Sequence, residues 1–317
     1  MGATTGDMFE AARGELATPG SYGEPPRGYR LPDATRLGRV RLQVADLGRS
    51  LRFYEGVLGF RLLRREETRA ALGAHGDDTP LVELEARPGA RPVTSRRRLG
   101  LFHFAILVPD RATLGRFVKH LATIGAHPGA GDHLVSEAFY LEDPDGLGIE
   151  VYADRPRSVW RRVGRELMMA TDPVDVDDIV RAAGDVPWAG MPAGTVIGHV
   201  HLHVGGLSEA AAFFSETLGF DRMVWRYPGA IFLGAGGYHH HLGANTWAGA
   251  GASRPAEGDA RLLEWTVELP DASSLEGAAH SLMQAGHAVL REPGDLGRVP
   301  DVVTHDPWGT QIRLRAI

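Results

Sequence analysis

The chain has no cysteine in 317 residues. That absence excludes disulfide staples, thiolate nucleophiles and sulfur-ligated metals, so any metal must be held by nitrogen and oxygen. No apolar run reaches the ~20 residues that a membrane-spanning helix requires, and the N-terminus lacks the apolar core of a signal peptide. The expectation is a cytoplasmic protein with no membrane partner. Basic residues form no track: the formal charge is −6 and, apart from Arg96-Arg97-Arg98, read as a solvated loop, Lys and Arg are dispersed. A nucleic-acid partner is therefore not expected. With 43% hydrophobic and 23% charged residues, the composition is that of a soluble globular protein, long enough for two ordinary domains or one large one. What the sequence does have is histidine, fourteen in all.

Residues 1–35 carry Gly, Pro, Ser, Thr and charge without sustained periodicity, and read as an arm that is mobile or laid along the surface. From Gly38 the chain alternates as a strand. Leu47, Leu51, Tyr54 and Leu58 then recur at helical spacing, Gly59 ends the helix, and alternating segments follow near 60–67 and 81–86. This unit returns 160 residues later, because GRVRLQVADLGRSLRFYEGVLGF at 38–60 is matched in register by GHVHLHVGGLSEAAAFFSETLGF at 198–220. A second unit runs from a strand at 101–108, through a helix near 110–124 with Leu114, Phe117, Val118, Leu121 and Ile124 on one face, to 131–153. Its echo is a strand at 262–269, a helix near 272–285 and DPWGTQIRLRA at 306–316. The expected fold class is α+β, with four βαβββ modules paired into two open barrels around concave cavities. The expected organisation is an arm at 1–35, a first half at 36–153, a connector at 154–195 with a short helix near 175–183, and a second half at 196–317.

Chemistry concentrates in the stretch 131–153, GDHLVSEAFYLEDPDGLGIEVYA. After the Asp143-Pro144-Asp145-Gly146 turn, alternation puts Glu150 on one strand face and Ile149 and Val151 on the other, which fixes the direction of the carboxylate as a metal ligand requires. In the third module His199, His201 and His203 share a face, while Val200, Leu202 and Val204 pack under the helix. The first module has Arg39, Arg41 and Gln43 at those positions, which makes a metal site there improbable. His103 takes the place of His199 in the second module and Glu264 takes it in the fourth, while Arg313 stands where Glu150 would be. A complete ligand set arises only by combining the inner modules: His103 and Glu150 from the second, His199 from the third. Two histidines and a carboxylate on adjacent strands form a facial triad that binds non-haem Fe(II), or Mn(II) with similar preferences, and leaves three positions open. The third module also carries Tyr238-His239-His240-His241-Leu242. Read as a strand, this run puts His239 and His241 on one face and His240 on the other, near the metal, where a neutral imidazole suits acid–base chemistry.

These residues resemble the vicinal oxygen chelate superfamily (the glyoxalase, bleomycin-resistance and extradiol dioxygenase fold) and, within it, the type I extradiol ring-cleaving dioxygenases of the bacterial catechol 2,3-dioxygenase group. The resemblance spans roughly 36–317. Gly131, His133, Phe139, Tyr140, Asp143, Pro144, Gly146 and Glu150 satisfy every position of the extradiol signature, and the YHHHLGANTW and GTVIGHVHLHV layouts are similar too. The resemblance implies that His103, Glu150 and His199 bind iron, that His240 is the second-sphere histidine, and that His133 and Tyr140 contact substrate oxygens. It implies cleavage of a catechol-type ring beside the diol with O2 to a 2-hydroxymuconic semialdehyde-type product. The implied partners are a small aromatic diol and O2, with self-association into a homo-oligomer compatible. His201, His203, Asn245 and Trp247 are candidates for the pocket wall. One departure stands out, since familiar two-domain members place the histidine-only half before the half bearing the signature. Either the second and third modules share one barrel and the first and fourth the other, or the site is shared differently. A metal-dependent isomerase or lyase of the superfamily, using His240 as a fourth ligand, and a metal-free small-molecule-binding protein are the alternative functions.

Overall fold

Alternation in the four opening strands sets the architecture. Val40, Leu42 and Val44, Phe104, Ile106 and Val108, Val200, Leu202 and Val204, and Trp265, Val267 and Leu269 all join one continuous buried core. The intervening residues of each strand face the opposite way, into the concavity of a curled sheet. A computed structural model describes residues 2–9, 14–94, 97–294 and 299–317.

The first module is Arg36–Val44, helix Leu47–Gly56, then strands Arg61–Arg65, Arg69–Gly73 and Val82–Ala86. The second is Gly100–Leu107, helix Arg111–Thr123, then Gly129–Asp132, Ser136–Glu142 and Gly148–Asp154. The third is Val196–His203, a helix from Leu207, then Asp221–Val224, Ala230–Gly234 and Leu242–Asn245. The fourth is Arg261–Leu269, helix Ala272–Gln284, then Leu290–Glu292, Asp301–His305 and Gln311–Ala316. Three of the four module helices start alike: Asp46, Asp110 and Asp271 each accept a hydrogen bond from the backbone N–H three residues on, satisfying a free donor of the first turn. The third module has Gly206 at that position and no such cap, and its helix passes after Ala210 into a π-wound stretch over Ala211–Thr217. Ile124 lies at the C-cap of its helix rather than on the buried face, and is 45% exposed.

The modules pair across the connector. In one eight-stranded sheet the opening strands of the second and third modules lie antiparallel at the centre, with His103 opposite His201. In the other, the opening strands of the first and fourth do the same, with Arg41 opposite Glu264. Each sheet thus takes one module from each side of residues 154–195, and of the two arrangements left open by the sequence the inner pairing is the one present. The connector forms its short helix at Val176–Ala182 and contributes Arg161–Val163 and Glu166–Leu167 to a small sheet with Glu15–Leu16 of the arm. The described part of the arm is laid along the surface, with Leu31 buried and the Tyr22 hydroxyl donating to Gly237 O. Residues 1 and 10–13 of the arm lie outside the described residues, as does Arg96 of the arginine triplet. Arg97 is exposed, but Arg98 is partly buried and ion-paired to Asp259 at 3.3 Å, so the triplet is not simply a solvated loop.

Two acidic turns close the second and fourth modules. Asp143 Oδ1 accepts from the backbone N–H groups of Asp145 and Leu147, and Asp306 Oδ1 accepts from those of Trp308 and Thr310. The first aspartate of the D-P-x-G pattern is therefore a turn-former in both copies. Asp145 ties the inner sheet to the first module, since it is buried, bonds the Arg49 guanidinium and accepts from Ala45 N at 2.9 Å. Gly146 is required here, having φ +78° and the Val93 carbonyl 2.6 Å from where a Cβ would stand.

Burial pushes the Asp143 carboxyl up to about 6, against the pull of the Leu147 and Asp145 N–H groups. Its pKa in the unfolded chain is ~3.9, so the folded state holds this proton more tightly. The resulting stability is fully present below the unfolded value and is lost as pH rises through about 6. Urea denaturation is expected to show wild type losing about 1–1.5 kcal/mol relative to Asp143→Asn between pH 5 and pH 7.5. A constant gap between the two proteins would contradict the assignment.

Candidate metal centre

Three neighbouring strands of the inner sheet aim ligand atoms at one point. Glu150 lies on Gly148–Asp154, parallel to Gly100–Leu107, which bears His103 and is in turn antiparallel to Val196–His203, bearing His199. Ala105 is in register with both Glu150 and His199, so a methyl group is all that stands between them on the central strand. His103 Nε2 is 3.1 Å from Glu150 Oε2 and 3.3 Å from His199 Nε2, and His199 Nε2 is 3.4 Å from Glu150 Oε2. All three side chains are buried, and among the described residues this is the group of three or more ligand-type side chains whose atoms converge.

The charge balance fits a cation. Burial opposes ionisation of Glu150, but His199 and His103 outweigh it and hold the carboxyl well below the usual range. Burial also pulls His199 down to about 4, only partly countered by Glu150, so its imidazole is neutral near pH 7. A buried carboxylate beside an imidazole lone pair is a donor set suited to Fe(II) or Mn(II), and costly to leave without a positive charge.

The outer sheet shows what replaces that cation. At the places of His103 and Glu150 stand Glu264 and Arg313, and Arg313 Nε and Nη2 donate to Glu264 Oε1 and Oε2, each at 2.9 Å. Arg313 also reaches Asp301 and Glu292, and Arg39, at the place of His199, pairs with Glu83 at 3.2 Å. A guanidinium bound through two nitrogens occupies the barrel where a metal would otherwise compensate the carboxylate.

Around the triad the remaining histidines are individually fixed. His133 Nδ1 donates to Ala170 O at 2.7 Å, which leaves Nε2 as acceptor for the Tyr140 hydroxyl. Burial, and then the Glu150 charge, push the Tyr140 hydroxyl well up, so it stays protonated. Gly131 allows this arrangement, because a Cβ there would lie 3.3 Å from the His133 ring. His201 faces the same concavity but accepts from Asn245 Nδ2 at 2.9 Å, while His203 Nδ1 donates to Asn245 Oδ1 at 2.6 Å. Of the three alternating histidines only His199 therefore joins the triad. Trp247 is 41% exposed and packs edge-on to Phe102, at the rim.

Residues His239–His241 differ from the expectation. They lie in a bend that precedes the strand Leu242–Asn245, so strand alternation does not apply to them. His239 and His240 touch, Nδ1 to Nδ1 at 2.7 Å, and the His240 ring packs 4.1 Å from that of His199, whereas His241 Nδ1 accepts from Ala235 N. Burial, and then the neighbouring histidines, push His240 well down, so it too is neutral. Sequence reasoning missed the Ala170 carbonyl, for which backbone position leaves no signal. It also missed Asp154, which Glu150, Tyr152 and Asp154 would have revealed as the third member of one strand face. A cleft of about 980 Å³ reaches His103 and Tyr140 from outside and is walled opposite by Leu262 and Gln311 of the outer sheet and by Trp308 in the turn before its last strand. That volume suits a small ligand.

The sequence profile of the Glyoxalase/Bleomycin resistance protein/Dioxygenase superfamily matches residues 36–151 and 196–314, all four modules. The chain belongs to this superfamily. Within it, catechol-2,3-dioxygenase of Bacillus subtilis (strain 168) is 44% identical over 274 residues, covering 85% of this chain and 95% of that relative. Lactoylglutathione lyase of Neisseria meningitidis serogroup A is 35% identical over 124 residues, but covers only 36% of this chain and 88% of its own. A crystallised Bacillus subtilis protein, provisionally described as a dioxygenase, superposes with a TM-score of 0.61 at 14% identity, covering 90% of this chain and 86% of that one. Glyoxalase I of Zea mays gives 0.52 at 22% identity, covering 89% and 92%. At those identities the two structures share the superfamily fold with this chain and carry nothing further. No helix among the described residues is long and apolar enough to cross a membrane.

Proposed function

We propose that this chain is an extradiol dioxygenase that holds Fe(II), or Mn(II), and cleaves a catechol-type ring beside its diol with O2, giving a 2-hydroxymuconic semialdehyde-type product. The observation that carries this reading is the convergence of His103, Glu150 and His199 in a superfamily member 44% identical over most of its length to a catechol-2,3-dioxygenase. Fe(II) held by these three residues would supply open positions for two diol oxygens and O2, together with the redox chemistry of ring opening. The protein's own part is then binding, orientation and proton handling. Neutral His240, against His199, is placed to take a phenolic proton from the diol and return it later. Tyr140 and His133 form a hydrogen-bonded pair beside His103, suited to hold substrate oxygens in direction. The buried concave wall of Ala105, Ala138 and Tyr152 keeps bulk water away from the reacting atoms.

A lyase or isomerase of the superfamily would want a fourth protein donor. His240 is the nearest candidate, but the ligand atoms that converge are those of His103, Glu150 and His199 without it, which favours the three-ligand reading. The test is anaerobic loading with Fe(II), addition of catechol, then O2. Equimolar O2 uptake with a yellow ring-fission product is expected, and neither appearing across simple and substituted catechols would end the dioxygenase reading.

A further inference from the structure

A chain of hydrogen bonds leads from His240 away from the triad. His240 Nδ1 lies 2.7 Å from His239 Nδ1, and His239 Nε2 lies 2.9 Å from Asp154 Oδ1 at the end of the strand that bears Glu150. The Tyr238 hydroxyl donates to the same oxygen at 3.3 Å and is itself 2.7 Å from the Tyr152 hydroxyl, which supplies the next donor. His239 and His240 are buried, while the Asp154 side chain is 28% exposed.

Two imidazole nitrogens that face each other form a hydrogen bond only when one carries the proton and the other the lone pair. Asp154 is an acceptor, so it takes the Nε2–H of His239. With its ring proton on Nε2, His239 presents a lone pair at Nδ1, and His240 donates Nδ1–H to it. The nitrogen left on His240 is Nε2, with its lone pair free.

We propose that Asp154 and His239 are positioning residues that lock His240 in the Nδ1–H tautomer and keep its Nε2 available as a proton acceptor. The proposal rests on the reading of His240 as the proton acceptor for a bound diol. It assigns a role to two polar groups that the triad and the His133–Tyr140 pair leave unused. It also explains why the bend before Leu242 is anchored to the second module, since the site residue it carries is oriented from there.

Substitutions at His239 separate orientation from mere packing. Glutamine can accept from His240 Nδ1–H through its carbonyl and donate to Asp154 through its amide, whereas leucine fills similar space and does neither. Ring ¹⁵N shifts in the full-length metal-free protein, with His240 assigned by its loss in His240→Gln, are expected to show Nδ1–H in wild type and His239→Gln. His239→Leu is expected to show the other tautomer or a mixture. After Fe(II) loading, His239→Leu should lower kcat roughly tenfold to a hundredfold with iron content and KM little changed, and His239→Gln should recover most of that loss. If His239→Leu fails to fold, Asp154→Ala, at the exposed end of the chain, carries the same expectation. Wild-type His240 found as Nε2–H, unchanged kcat in the leucine variant, or equal losses in both variants accompanied by loss of iron would each overturn the proposal. A wild type that shows Nδ1–H but turns over no catechol would overturn the dioxygenase reading and leave the tautomer lock standing.

Discussion

Glu150→Gln is expected to lower kcat/KM for a catechol by roughly three orders of magnitude, because the several kcal/mol that a bound metal contributes to charge stabilisation is lost at about tenfold per 1.4 kcal/mol. Glu150 is the carboxylate of the triad, 3.1 and 3.4 Å from the two imidazole nitrogens and buried with them. The amide keeps the shape and removes the charge. Stability should respond in the metal-free protein as well. His199 and His103 favour the Glu150 carboxylate over its neutral form in the folded chain and the amide mimics the neutral form, so the metal-free variant should melt below wild type. What it should lose is the rise in Tm on adding Fe(II), since a ligand that binds only the folded state stabilises it in proportion to ln(1 + [L]/Kd). Thermal melts with and without anaerobic Fe(II), alongside turnover, check both halves. A variant that keeps the metal-dependent Tm shift would show that Glu150 is not a ligand.

Arg313→Met is expected to destabilise the chain by about 3 kcal/mol, the lower end of the range for removing one partner of a buried ion pair. Glu264 would be left buried with one contact to the Gln311 amide and a longer one to Arg41 at 3.7 Å, while Asp301 keeps Arg315 at 2.8 Å. Those surviving contacts are the reason for the lower end. The double variant Arg313→Met with Glu264→Leu should regain most of the loss, because replacing both partners by apolar groups of similar volume is often neutral. Iron content should match wild type in both, as the inner triad shares no side chain with this pair. Urea denaturation measures the first two expectations and metal analysis the third. A single variant as stable as wild type would mean that the pair does not compensate the buried carboxylate.

Much of the fold was legible because duplication makes alternation readable twice. The Val40, Leu42, Val44 and Val200, Leu202, Val204 faces are both core, and strand alternation left His103, Glu150 and His199 no direction but the concavity. The pairing of modules was not fixed by any one of them, since each presents a similar apolar face. It follows from the opening strands meeting at the sheet centres, which brings His103 beside His201 and Arg41 beside Glu264. The run His239–His241 was misread for a local reason. Period-two reasoning holds only inside a ladder, and these residues precede theirs, so the backbone is free to bring two neighbouring imidazoles into contact. The turn at 143–146 was legible as a turn, and its aspartate forms it. Its copy Asp306, beside a barrel whose ligand places hold an ion pair, makes the same backbone contacts.

Two module pairs of the same strand topology, one with a ligand triad and one with an internal salt bridge, should bind metal unequally. Anomalous diffraction at the iron edge, from crystals grown anaerobically with Fe(II), locates the metal without reference to turnover. One iron peak within bonding distance of His103, Glu150 and His199, with none beside Arg313, is the expected map. No peak at the triad, or iron bound elsewhere in the chain, would contradict the assignment of the inner barrel as the metal centre.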